Sequence, residues 1–315
     1  MTSPINGLCG RISHAFENSN PTALDQLKAA IDSGLISREI ELAQDGEMHM
    51  PKICKPSTLK PAVICLHGQY LQMLWAFTYG WFVIYEKGIQ EPWMHGSYNG
   101  IIKYDNPLLQ RAAQLLEWIG TNEKEWPCQR PSPSNWATDE EKSFTEKADT
   151  IFIKAIAFLL HHEFAHAKLR HVDTPECPPT SDETKILERD ADGFAFSALI
   201  SQSDDEQHRR IQGWSVLVPV LCALFVEKDS SRLFPRKHPF IHHRVDEVLK
   251  RLNFQERCNQ DYFTYLCLTI TKMVVVRFGL SEGQQTFPTA AEGLQNNLDK
   301  LDNLHELHRP RGSNP

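Results

Sequence analysis

Two histidines four residues apart stand near the middle of this chain, in Leu160-His161-His162-Glu163-Phe164-Ala165-His166. On a helix, side chains at i and i+4 share a face, so the imidazoles of His162 and His166 can converge on one ion. Glu163 reaches round the same face, where a carboxylate can take a proton from water held by such an ion. The pattern is H-E-x-x-H. His161 is five residues from His166 and diverges from it, so the pairing belongs to His162. By itself the motif is short, and two core-facing histidines with backbone partners fit it as well.

A second element strengthens the metal reading. Beginning twenty-two residues after His166, Glu188-Arg189-Asp190-Ala191-Asp192 supplies two carboxylates four apart, again on one helix face. A catalytic zinc site takes three protein ligands and keeps one open position, and two histidines with a glutamate are a standard set. Glu188 completes that set with His162 and His166. Asp192 then accepts the free ring N–H of a ligand histidine and fixes its tautomer. Asp192 as the ligand itself stays open. The run could also be a solvated charged face, but Phe194, Ala195 and Ala198 mark a packed helix, with Ala191 small where two helices approach. His171 follows His166 by five, whereas the metzincin pattern needs six and a glycine; Lys168-Leu169 stand there instead.

A third element, Lys237-His238-Pro239-Phe240-Ile241-His242-His243-Arg244-Val245, reads as a proline near a helix start with a basic first turn. A His or Arg brought to the site could stabilise an oxyanion, and the spacing alone fits a basic surface patch equally. Other chemistries lack their motifs: the chain has no G-x-S-x-G, no phosphate-binding G-x-x-x-x-G-K-[ST] and no G-x-G-x-x-G. Leu66-His67-Gly68 reads as a strand end and turn.

The elements that must carry these residues are mostly helical. From Thr138, apolar positions at Phe144, Ala148, Ile151, Ala155 and Leu159 lead at helical spacing into His162 and His166, which predicts one long helix with both histidines on its buried stripe. Asp173 to Ser181, with three prolines, breaks it. The next helix carries Ile186, Leu187, Ala191, Phe194 and Ala198, with Asp182-Glu183 suited to its N-terminus. Three further helices are expected around 211–228, 238–253 and 258–279. Upstream, Asn20-Pro21 opens a helix to Ala30, Glu39 to Leu42 and Lys60 to His67 read as short strands, and a long apolar helix ends near Gly88 as its C-cap. Asn106-Pro107 caps a helix to Gly120, and 121–138 is a surface loop. The expected fold is mainly α (α+β), a zincin-like helical catalytic core with a small N-terminal β component. Its organisation is an N-terminal mixed region at 1–135, a catalytic core at 136–282 and a tail at 283–315 with one weak amphipathic stretch, Ala290 to Leu307.

Composition narrows the partners. At 315 residues, with 41% hydrophobic and 23% charged, the chain can bury a sizeable core and is not disordered as a whole. Its 33 Lys+Arg against 40 Asp+Glu give a net charge of −7, which excludes a nucleic-acid partner. The first residues show no basic-then-apolar signal segment, and the eight cysteines form no C-x-x-C pair, so reduced thiols in the cytoplasm are expected. Two apolar stretches, Leu71 to Tyr85 and Trp214 to Val226, fall short of the about 20 residues a spanning helix needs and read as core helices, without stable membrane insertion.

Together, His162-Glu163-x-x-His166, Glu188-x-x-x-Asp192 and His238-Pro239-x-x-x-x-Arg244 resemble the gluzincin metallopeptidases. That resemblance, over about residues 150–250, implies that His238 and Arg244 support substrate or oxyanion binding. The layout also resembles the phage-exclusion peptidases of the Lit type, with HExxH near the middle of a chain of about this length. This second resemblance implies a restrained endopeptidase that cleaves a host protein such as elongation factor Tu. The expectation is therefore a Zn²⁺-dependent endopeptidase in which His162, His166 and Glu188 bind metal, Asp192 supports a histidine, and Glu163, His238 and Arg244 serve the chemistry. Its partners are a protein or peptide substrate and an activating peptide or inhibitor. The alternative is a non-catalytic metal-binding regulatory or interaction protein.

Overall fold

A computed structural model describes residues 4–57, 59–121, 126, 138–173, 180–200, 205–228, 240–280 and 286–308. Helices α1 (Cys9–Glu17) and α2 (Pro21–Asp32) precede strands β1 (Ile36–Ala43), β2 (Lys52–Cys54) and β3 (Ala62–His67). Then come α3 (Gly68–Val83), a π-helical turn Ile84–Gln90, α4 (Glu91–Met94), α5 (Pro107–Gly120) and α6 (Asp139–Lys168). The chain continues with α7 (Ser181–Leu199), α8 (Glu206–Val226), α9 (Ile241–Leu252), α10 (Arg257–Arg277) and α11 (Ala290–His308). The architecture is mainly α with a small sheet, as its periodicity predicts. Packing divides it into two units, Met1–Glu176 with Asp190–Asp204 and Cys177–Arg189 with Asp205–Pro315, the boundary falling inside the continuous helix α7.

In the first unit the sheet runs β1-β3-β2, with β3 parallel to β1 and antiparallel to β2. Most helices start where a side chain replaces a missing backbone partner. Asn20 accepts from the Ala23 N–H, Asn106 from Leu108 and Thr138 from Glu141. His67, expected at a turn, instead caps α3: its Nδ1 lies 3.2 Å from the Gln69 N–H that α3 leaves unpaired. α3 is apolar on every face and fills the core between α5 and α6. Trp75 stacks on Tyr79 at 5.4 Å and donates Nε1–H to Asp149 of α6 at 2.7 Å.

One boundary differs from expectation. Gly88 does not end the helix, which runs on through the π-helical turn and α4 to Met94. A Cβ on Gly88 would meet Ile102 Cγ2 at 2.9 Å, so the glycine serves a close approach rather than a left-handed cap. Strand β2 and helix α1 leave little mark in the sequence, β2 because three residues carry no period and α1 because only Ile12 and Phe16 of it are buried.

In the second unit α8, α9 and α10 pack together, and α11 lies along α10. The amphipathic stretch expected in the tail is this last helix, burying Leu294, Leu298, Leu301 and Leu304, with Asn297 Nδ2 donating to Thr271 Oγ1 at 3.1 Å. α8 is long and apolar enough to cross a membrane, yet 78% of its most apolar window is buried inside the protein, Pro219 included. α7 opens with a reciprocal cap between Thr180 and Glu183. Glu183 N–H meets Thr180 Oγ1 at 3.3 Å, and the Glu183 carboxylate accepts from the Thr180 N–H at 2.8 Å.

Candidate metal centre

The long helix α6 ends in the H-E-x-x-H turn, which is almost wholly interior: His161, His162 and Glu163 are buried and His166 is half-buried. Phe194 of α7 packs on it, its ring centroid 5.7 Å from Phe164 and 6.4 Å from His161. Ala191 and Ala195 are fully buried beside Phe194. His161 points away from the pair. Its ring lies 4.7 Å from Phe16 and its Nε2 2.8 Å from Ser19 Oγ, and burial pushes its imidazole down to about 4, so it stays neutral and ties α6 to α1.

His162 and His166 face one another, Nε2 to Nε2, at 3.2 Å. Behind each ring stands a partner. His162 Nδ1 lies 2.9 Å from Asp192 Oδ1, and His166 Nδ1 lies 3.0 Å from His171 Nδ1. A proton on Nδ1, on the side of the Asp192 carboxylate, would leave Nε2 of His162 as a lone pair. When His166 is the donor across its Nδ1 contact with His171, its Nε2 is a lone pair as well. In that tautomer two lone pairs face each other and suit a cation between them, whereas a proton on either Nε2 makes the same contact an N–H···N hydrogen bond. Glu188 sits one helical turn before Asp192, and one donor atom from each of His162, His166 and Glu188 lies within 4.8 Å of the others. Two imidazole nitrogens and a carboxylate, all turned inward, fit a zinc ion by donor type and number. Glu163 Oε1 is 4.0 Å from His162 Nε2, at the edge of the same space.

His171 is the residue that sequence spacing set aside as a ligand and that the geometry brings to the site. α6 closes with the His171 N–H donating to His166 C=O at 2.8 Å and the Arg170 N–H to Ala167 C=O at 3.0 Å. That double closure needs a left-handed residue, and Arg170 takes it at φ 61° where glycine is usual. The turn folds His171 back onto His166. Beyond it, Asp173 pairs with Lys55, next to β2, and with Arg170 at 3.3 Å; the Lys55 ammonium holds its carboxyl below the usual range.

The third sequence element is only partly visible. Arg244 stands in the first turn of α9, half-buried, its N–H on Phe240 C=O at 3.2 Å. His238 and Pro239 lie outside the described residues, as do most of the loop at 121–138 and residues 174–179.

Comparison with known proteins points to a peptidase. The family model described as Peptidase U49 matches residues 64–266, from β3 through the H-E-x-x-H turn into α10. A cell death peptidase of Escherichia coli (strain K12) is 26% identical over 253 residues, covering 78% of this chain and 80% of the relative. No solved structure matches.

Proposed function

We propose, for a chain that belongs to the peptidase U49 family, that it is a zinc-dependent endopeptidase whose metal is held by His162, His166 and Glu188. The observation that carries this reading is the facing pair of Nε2 atoms at 3.2 Å with a buried carboxylate in the same space. A zinc ion bound there supplies a Lewis acid for the scissile carbonyl and for water. The protein's own side chains do the rest. Asp192 and His171 hold the imidazole rings in the orientation that aims Nε2 inward. Glu163 takes a proton from the attacking water and delivers it to the leaving amine, which departs as a neutral group. Arg244 and His238 are assigned, by their resemblance to the gluzincin pattern, to binding the substrate carbonyl.

The substrate is proposed to be a protein of the cell that makes the enzyme. This rests on the similarity to a cell death peptidase and on the layout shared with phage-exclusion peptidases. Such a peptidase must be restrained until needed, so an activating peptide or an inhibitor is part of the proposal. The cytoplasm is its proposed location, consistent with free thiols at Cys9, Cys54, Cys65, Cys222, Cys258 and Cys267.

Glu163→Gln tests the assignment. The variant should keep stoichiometric zinc and lose at least about a hundredfold in peptide cleavage, the usual contribution of a general base. Mapping new protein N-termini in cells expressing wild type beside this variant identifies the substrate, and equal cleavage by both would sink the mechanism.

A further inference from the structure

The second unit brings another pair of imidazoles onto a carboxylate. His242 and His243 stand in the first turn of α9, and Asp302 lies sixty residues beyond His242, in α11. His242 Nε2 is 2.9 Å and His243 Nε2 2.8 Å from one and the same oxygen, Asp302 Oδ1. The three donor atoms fall within 4.8 Å of one another. Consecutive residues on a helix point about 100° apart, so two neighbouring rings share a target only if both turn toward it. These do, with centroids 4.5 Å apart and planes at 68°.

The surroundings suit a bound cation. His242 is fully buried and stacks on Phe240 at 5.7 Å, which fixes its ring. The side chains of His243 and Asp302 are 45% and 42% exposed, which leaves a solvent path and room for water to complete a coordination shell. Ligand atoms about 2.0–2.1 Å from a tetrahedral ion stand roughly 3.3 Å apart, so the 2.8 and 2.9 Å contacts would open by about half an ångström to admit one. Two neutral imidazoles with one carboxylate suit zinc and its neighbours among the transition metals, and offer too few oxygens for calcium or magnesium. A hydrogen-bonded pair this open to water would add little by itself.

We propose that His242, His243 and Asp302 form a second transition-metal site, sharing no residue with the His162, His166 and Glu188 set, which clamps α11 to α9. The test is zinc stoichiometry of the full chain, stripped of metal, reloaded with Zn²⁺ and freed of excess by gel filtration. Wild type should hold two ions. His243→Ala, at a half-exposed position that tolerates truncation, should hold one, and so should Asp302→Asn. The double variant His162→Ala/His166→Ala should also hold one, and adding His243→Ala to it should leave none. Hydrogen exchange gives a second readout: in the double variant, Zn²⁺ should slow exchange of α11 amides, and His243→Ala should abolish that slowing. Wild-type stoichiometry retained in both His243→Ala and Asp302→Asn overturns the second site. One ion in wild type and none in the double variant also overturns it, while leaving the peptidase centre intact. One ion in both would instead remove the peptidase centre and keep this site.

Discussion

Asp192 and Glu188 share a helix face but differ in what they touch, and that difference makes their roles separable. Asp192 lies against the Nδ1 of His162, the side of the ring turned away from His166, so its removal should loosen the ring without removing a ligand. Asp192→Ala should therefore weaken zinc binding by about 10–100-fold, the usual cost of losing such a partner. Glu188→Ala should cost more, because a donor is lost outright, and competition against a chelating dye would rank the two. The opposite ranking would make Asp192 the ligand. His171→Ala should fall beside Asp192→Ala, since it too acts through a ring nitrogen pointing away from the pair. The i, i+4 spacing made His162, Glu163 and His166 legible in the sequence, as it did Glu188 and Asp192. His171 was not legible as a partner, because its approach depends on a left-handed turn at Arg170 that only a glycine would have announced.

Element by element, the helices were readable wherever an apolar stripe or a cap marked them, and α6 most of all. Its interior carries a carboxylate that the stripe does not explain, Asp149, which accepts from Trp75 Nε1 at 2.7 Å and lies 3.9 Å from Arg11. Burial raises its carboxyl above the ordinary range, against the lowering effects of Trp75 and Arg11. With the folded value above the unfolded one, the fold favours the protonated acid. The stabilising contribution is complete below the unfolded value and is lost as pH rises through the folded one. At neutral pH the chain therefore keeps a buried charge at some cost. Asp149→Asn keeps an acceptor for Trp75 and removes that cost, so it should raise the urea midpoint at pH 7. The gap should close on acidification, as pH falls through the raised folded value to the ordinary carboxylate range. A gap that widens on acidification would refute the argument. Features that the sequence did not disclose were set by tertiary pairing: β2 exists because β3 lies beside it, and the π-helical turn after α3 runs on past Gly88 where Ile102 and Leu109 pack on that glycine.

At the scale of the molecule, the division into two units was hidden from the sequence because its boundary falls within α7, an unbroken helix with no composition change to mark it. The family match spans β3 to α10, so the peptidase assignment depends on far more of the chain than a short motif. Metal removal tests the zinc reading at this scale. An ion that binds the folded chain and not the unfolded one stabilises it by about 2.7 kcal/mol when free metal is a hundred times its dissociation constant. For a chain of this size that amounts to several degrees of melting temperature. Chelation should thus abolish peptide cleavage and lower the melting temperature together, and added Zn²⁺ should restore both. Using His243→Ala as the background confines the response to His162, His166 and Glu188. There, Glu163→Gln should show the same metal-linked rise in melting temperature while staying inactive, since its ligands are intact and only its proton carrier is gone. Cleavage that survives full chelation would remove zinc from the mechanism. A melting temperature indifferent to metal, with cleavage lost, would instead mean that His162, His166 and Glu188 bind the ion too weakly to add stability at the metal concentration used.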